Sequence, residues 1–330
     1  MKRRFVILRV LLVAILVLTV NDGILHSWGF YAHQKINRMA VFTLPPEMIG
    51  FYKRHIEFVT EHAVDPDKRR YAVKGEAPHH FIDIDHFSKD EPFKVMPRKW
   101  KDAVAKFSED SLLEYGVVPW WIDKVMYRLT RAFQEGDVDR ILRYSADLGH
   151  YIGDAHVPLH TTENYNGHMT NQKGIHGFWE SRLPELYAEN YDFLVGRAEY
   201  IENPLDKAWD VVEASHAGLD SVLRFEAEMN AEWAPDRKYA MEHRGQTLMK
   251  VYSQEYSKEY HMRLGGQVER RMREAIYTVG SMWYTAWVNA GQPDLEPQFE
   301  AELSPEFMEE MIEEEFEIKS SDGPKGRPHE

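Results

Sequence analysis

The segment His150-Tyr-Ile-Gly-Asp154-Ala-His156-Val-Pro-Leu-His160 sets imidazoles and a carboxylate at short spacings on one predicted helix and its exit. Residues four apart on an α-helix project from the same face, so His150 and Asp154 address one volume. Pro158 breaks the helix, which lets His160 turn back toward that volume instead of continuing around the cylinder. Further on, His176-Gly-Phe-Trp-Glu180 repeats the four-residue interval on another predicted helix. A lone histidine is by default a partly buried hydrogen-bonding side chain. Zinc and similar ions need several converging imidazoles and carboxylates at about 2.0 to 2.2 Å, and two His-x3-acid pairs are the pattern that supplies them.

Two other regions hold ligand types without so distinct a spacing. His79-His80-Phe81-Ile82-Asp83-Ile84-Asp85-His86 begins fourteen residues after Asp65 and, taken alone, is a polar cluster. Trp28-Gly-Phe-Tyr-Ala-His33, taken alone, is a core tryptophan with a capping histidine.

The elements that must position these residues are helical. Apolar residues recur at helical spacing nearly everywhere after residue 30 and strict alternation is scarce, which predicts an all-α fold. Ile122, Val125, Met126, Leu129 and Phe133 form one face, stopped by Gly136-Asp137. Val138, Ile141, Leu142, Ser145, Leu148 and Ile152 form the next, so the two helices are neighbours across a short turn. Val268, Met272, Ile276, Val279, Trp283 and Trp287 make a long late helix, and further helices are predicted around 100–115, 207–230 and 245–262. No linker-like composition interrupts residues 28–290, so one large multi-helix domain over 28–298 is expected rather than two.

Residues 1–27 carry a positive start, Met1-Lys-Arg-Arg4, and an apolar run from Phe5 to Val20 interrupted by Arg9, the pattern of a secretory signal. The mature chain is then expected outside the cytoplasm, periplasmic or secreted, with an uncleaved N-terminal membrane anchor as the alternative. The chain has no cysteine, which excludes disulfides and a lipoprotein anchor, and a chain this long buries enough core to do without them. Net charge is -14, and removing Lys2, Arg3, Arg4, Arg9 and Asp22 with the leader moves it to -17. Such a surface repels nucleic acid and anionic lipid at long range, although a metal cluster can reverse the sign locally. The nine glutamates between Glu300 and Glu317 predict a solvated acidic helix within 299–330, with a disordered tail beyond Lys319.

Set in order, these pieces resemble the zinc-dependent phospholipase C and nuclease P-one superfamily, over residues 28 to about 180. That family's mature chain begins with Trp followed shortly by His, here Trp28 and His33. An Asp then precedes a His-Phe-x-Asp element, here Asp65 and His80-Phe81-Ile-Asp83. The signature helix His-Tyr-x-Gly-Asp with x-Pro-x-His and a nearby Asn follows, here His150, Asp154, His160 and Asn164, and a His-x3-acid pair closes the set at His176 and Glu180.

The resemblance implies three Zn²⁺. Asp65, His80, His150 and Asp154 would hold the first, Trp28 and His33 with a bridging Asp154 the second, and His160, His176 and Glu180 the third. Asp65 would also orient or deprotonate the attacking water, and Phe81, Asp83 and Asn164 would face substrate. Asp83, Asp85 and Asp147 are candidate partners of the imidazoles, and His156 is left off the ligand set. The implied activity is hydrolysis of phosphate esters. Glu180 as the last ligand and the absence of cysteine match the phospholipases, whose substrate is a phospholipid met at a transient membrane contact. His156 with Pro158-Leu159 resembles the single-strand-specific nucleases, which take nucleotides or single-stranded nucleic acid. Thr162, where the phospholipases usually have Pro or Ala, weakens the choice between them. A membrane-anchored zinc-binding protein without turnover is the further alternative, and no obligate protein partner is indicated.

Overall fold

The computed structural model describes residues 29–244, 247–298 and 301–325, so the expected leader and Trp28 lie outside the described residues. The first helix, α1 (Phe30–Ala40), buries Ala32, His33, Ile36, Asn37 and Ala40 along one stripe. Helix α2 (Asp65–Ala72) has Pro66 in its first turn, where the missing N–H would be unsatisfied anyway. Helices α3 (Val118–Glu135) and α4 (Val138–Ala155) form an antiparallel hairpin. Gly136, left-handed at φ 66°, ends α3 with its N–H on the carbonyls of Ala132 and Phe133. The Asp137 side chain then accepts from the Arg140 N–H to open α4. The apolar faces expected of both helices are buried, apart from Val138 at the start of α4, which is half-buried.

Helices α5 (Pro204–Ala217) and α6 (Leu219–Glu232) lead to a two-stranded antiparallel hairpin, β1 (Tyr239–Arg244) and β2 (Thr247–Tyr252). Helix α7 (Gln254–Arg263) and the long α8 (Gln267–Asn289) follow. Trp283 of α8 is fully buried, stacks on Tyr52 at 4.9 Å and donates its indole N–H to the Ser145 carbonyl at 3.0 Å, tying α8 to α4. One contiguous apolar core runs through these helices, and the protein is a single compact domain whose described residues are 71% helix and 4% strand.

Three expected helices differ in detail. The stretch 100–115 breaks at Ser108, whose φ of 68° ends one helix while its hydroxyl accepts from the Ser111 N–H to start the next. The stretch 207–230 divides at Gly218 into α5 and α6. The helix expected over 245–262 begins only at Gln254, because Thr247–Tyr252 pairs with Tyr239–Arg244. Val251 and Tyr252 are good strand formers, and Glu242 of β1 reaches Arg182 at 2.6 and 2.9 Å, fixing which hairpin face meets the body.

The acidic helix is α9 (Pro305–Lys319), capped by the Ser304 hydroxyl. It docks more closely than a solvated helix would, with Phe307 buried and Arg143 bound to Glu310 and Glu314 at 2.7 Å each. The chain after Lys319 was expected to be disordered, yet the Lys325 N–H donates to the Arg70 carbonyl at 2.7 Å. Residues 326–330 lie outside the described residues. Among the described residues no helix is long and apolar enough to cross a membrane.

Candidate metal centre

Helix α4 is the strut of the site, buried on all sides from Ser145 to Ala155. Its Gly149 and Gly153, four apart, face α1. A Cβ at Gly149 would stand 1.9 Å from Asn37 Oδ1, and one at Gly153 would stand 2.8 Å from His33 Nδ1. Only glycine lets α1 approach this closely. The approach brings the His33 ring onto the His150 ring, 4.1 Å between centroids, and His33 Nε2 to 3.5 Å from Asp154 Oδ1. Asn37 holds the contact by donating to the carbonyls of Val59 and Ala146, both at 3.1 Å.

Backbone carbonyls, which can only accept, orient His150 and His160. His150 Nδ1 donates to the Ala63 carbonyl at 2.8 Å, so its Nε2 turns inward, 3.2 Å from Asp154 Oδ2 and 3.7 Å from Asp67 Oδ1. His160 Nδ1 donates to the His80 carbonyl at 2.8 Å, and its Nε2 lies 2.9 Å from His176 Nε2 and 3.3 Å from Glu180 Oε2. His80 presents Nδ1, 2.9 Å from Asp154 Oδ2 and 3.0 Å from His150 Nε2. A backbone hydrogen bond on one ring nitrogen with the other aimed at a shared point is how proteins prepare histidine for metal.

Three triads result: His33, His150 and Asp154; Asp67, His80 and His150; and His160, His176 and Glu180, with the ligand atoms of each within 4.8 Å of one another. Asp154 lies between His80 and His150 on one oxygen and His33 and His160 on the other. Glu180 lies between His33 and the His160/His176 pair. All eight residues are at most 5% exposed.

Three carboxylates buried together need compensating positive charge. Burial works against charge on His150, but Asp154 and Asp67 raise its pKa to about 9. Burial likewise pushes Asp154 up, yet His150 and His160 hold its carboxyl well below the usual range. Asp154 Oδ1 has no hydrogen bond of good geometry despite its complete burial. A buried oxygen left so, among inward imidazole nitrogens 2.9 to 3.0 Å apart, fits a cation, and these buried clusters could hold metal ions.

The structure brings together His33, His80, His150, Asp154, His160, His176 and Glu180 from the expected set. Asp65 is not among them. Its carboxylate binds His62 Nδ1 at 2.5 Å and Lys68 Nζ at 2.8 Å, and these partners outweigh burial to hold its pKa near 2. Asp67 takes the place expected of Asp65, because residues two apart on a helix face nearly opposite ways and His62 and Lys68 claim the first of them. Gly29, next to Trp28, is buried where a Cβ would stand 2.6 Å from Glu180 Oε1, so the start of the described chain lies against the cluster.

The expected substrate residues are placed less directly. Phe81 and Asp83 are buried on the segment after His80, with backbone bonds to Val118 and Tyr115. Asn164 is committed to its own loop: its Oδ1 accepts from the Met169 N–H at 2.8 Å and its Nδ2 donates to Thr170 Oγ1 at 3.0 Å. Of the candidate imidazole partners, Asp85 holds Thr162 and Glu163, and Asp147 holds Arg69. His156 donates Nδ1–H to the Ile152 carbonyl at 2.7 Å, and burial and Arg271 keep it neutral, well below the usual histidine range.

Glu76 was missed by the sequence reading. It lies 3.6 Å from His80 Nε2 and accepts from the Tyr151 hydroxyl, and its signal was the same four-residue interval, Glu76-x3-His80. No protein-family model matches the chain, and neither does any curated protein.

Proposed function

We propose that the protein is a zinc-dependent phosphoric ester hydrolase of the phospholipase C type, releasing a phosphorylated headgroup from a phospholipid. The observation that carries this reading is the convergence of three His/acid triads on Asp154 and Glu180 in one buried centre. Three Zn²⁺ against three carboxylates would leave a local excess of about three positive charges, enough to attract a phosphodiester into an acidic protein. Ions held there would supply Lewis acidity toward phosphoryl oxygens and acidify water.

The chain's own residues have distinct parts in this reading. Asp154 and Glu180 fix the spacing between neighbouring triads, and His33, with the adjoining chain start, closes the His33/His150/Asp154 triad. Asp67, with Oδ1 3.6 Å from His80 Nδ1, replaces Asp65 as the carboxylate that would orient the attacking water and take its proton. Met169, 70% exposed on the loop between His160 and His176, gives an apolar contact for a lipid surface near the third triad.

A single-strand-specific nuclease or 3'-nucleotidase is the second reading, favoured by His156-Val-Pro-Leu after the signature helix. The zinc-loaded protein, assayed on mixed phospholipids, 3'-nucleotides and single-stranded DNA, is expected to release headgroups. Cleavage of DNA with phospholipids left intact makes the nuclease reading correct, and zinc binding with no turnover on any of them supports the anchored zinc-binding alternative.

A further inference from the structure

We propose that the acidic C-terminal helix α9 is a positioning element for the Asp67/His80 corner of the metal centre, acting through Arg69 and Glu76. The inference rests on the reading that the centre holds metal ions. Glu76 is the first link. Its Oε1 accepts from the Tyr151 hydroxyl and faces His80 Nε2 at 3.6 Å, an electrostatic contact on the side of the ring opposite Nδ1, which lies 2.9 Å from Asp154 and 3.6 Å from Asp67. Carboxylates behind metal-binding imidazoles set ring orientation, and their loss typically costs about 10- to 100-fold in metal affinity.

Arg69 is the second link, and its guanidinium meets three carboxylates. Asp147 lies 2.8 Å away, Glu76 4.0 Å and Glu314 of α9 3.7 Å. Glu314 also binds Arg143 at 2.7 Å, and Arg143 binds Glu310 at the same distance, so α9 is fastened to α4 beside the same group. Arg69 is thus shared between the acidic helix and the carboxylate that faces His80 Nε2. A cleft of about 500 Å³ between α9 and the α3/α4 hairpin has Arg69, Glu76, Asp147 and Tyr151 in its wall, so moving α9 away would open Glu76 to water.

A second attachment reaches the helix that carries Asp67. The chain after α9 returns to α2, where the Lys325 N–H donates to the Arg70 carbonyl at 2.7 Å and Lys325 Nζ to the Ala72 carbonyl at 2.5 Å. Asp67 lies one turn earlier on the same helix. Residues 305–325 therefore hold α2 by side chain and by backbone. The His160/His176/Glu180 corner is built instead on the Pro158–Thr161 turn and the segment from Ile175 to Arg182.

The test is zinc titration of the full-length protein against a competing chelator, for wild type, Glu314→Lys, Glu76→Gln and a chain ending at Gln298. Glu314→Lys sets a like charge beside Arg69 and Arg143, and the shortened chain removes α9 altogether. Both are expected to weaken one bound ion about tenfold and leave the others at wild-type affinity, and Glu76→Gln is expected to weaken the same ion at least as much. A peptide spanning residues 301–325, added to the shortened chain, is expected to restore part of the loss. Unchanged affinity for every ion in both α9 variants overturns the inference, as does simultaneous loss of all ions, which marks general unfolding. A wild-type protein that binds no zinc overturns the metal reading itself.

Discussion

Asp65 and Asp67 stand two residues apart in the first turn of α2, and only the second faces the cluster. Asp67→Asn is expected to remove a carboxylate of the Asp67/His80/His150 triad and weaken zinc binding more than ~100-fold, beyond what loss of an outer partner costs. Asp65→Asn is expected to leave zinc binding intact and cost about 1 kcal/mol of stability, through its pairs with His62 and Lys68. Zinc titration together with thermal unfolding of both variants separates the two roles, and the opposite ranking would return Asp65 to the ligand set. The pairs His150/Asp154 and His176/Glu180 were legible in the sequence because a four-residue interval fixes a shared helical face. Asp65 lies outside the cluster because spacing to a distant histidine does not report helix phase, and His62 and Lys68 hold its carboxylate away from it.

At the scale of elements, the crossing of α1 and α4 depends on Gly149 and Gly153. Alanine is the better helix former by about 1 kcal/mol, so propensity alone favours substituting either glycine. The clashes with Asn37 and His33 reverse that sign, and overpacking typically costs about 1 to 3 kcal/mol. Gly149→Ala is expected to be the more destabilising in denaturant unfolding, since its Cβ meets Asn37 at 1.9 Å against 2.8 Å for Gly153 and His33. Gly153→Ala is expected to lose zinc affinity as well, because it displaces His33 of the His33/His150/Asp154 triad.

The elements also carry a pH dependence apart from the metal centre. Burial lowers the pKa of His55, His216 and His261, and His216 holds the Thr161 carbonyl at 3.2 Å as a neutral ring. An unfolded chain takes up these protons below about pH 6.5 while the folded one resists them, so stability falls as pH drops below that value. Unfolding at pH 7 and pH 5.5 checks the sign, and His216→Gln should shrink the difference. Helix faces such as Ile122 to Phe133 were legible from their period. The β1/β2 hairpin was not, because its strands are stabilised by pairing with each other and by the Arg182–Glu242 contact rather than by a pattern inside residues 247–252.

For the whole molecule, the centre joins α1, α2, α4, the turn after α4 and the 175–182 segment at one point, so metal bound there would couple to folding. A ligand that binds only the folded state stabilises it by about 2.7 kcal/mol at a hundredfold excess over its Kd. Removing metal with a strong chelator is expected to lower the melting temperature, and restoring zinc should return it; a melting temperature indifferent to chelation would mean that the triads are filled by protons alone. The compact helical fold followed from periodicity over most of the chain, whereas the docking of α9 did not, since its attachment depends on Arg69, Arg143 and the Arg70 backbone far away in sequence. Native mass spectrometry of the zinc-loaded, desalted protein and of Asp154→Asn tests the central claim most directly. Three retained ions in the wild type and fewer in the variant are predicted, whereas no retained zinc, or equal zinc in both, would contradict it.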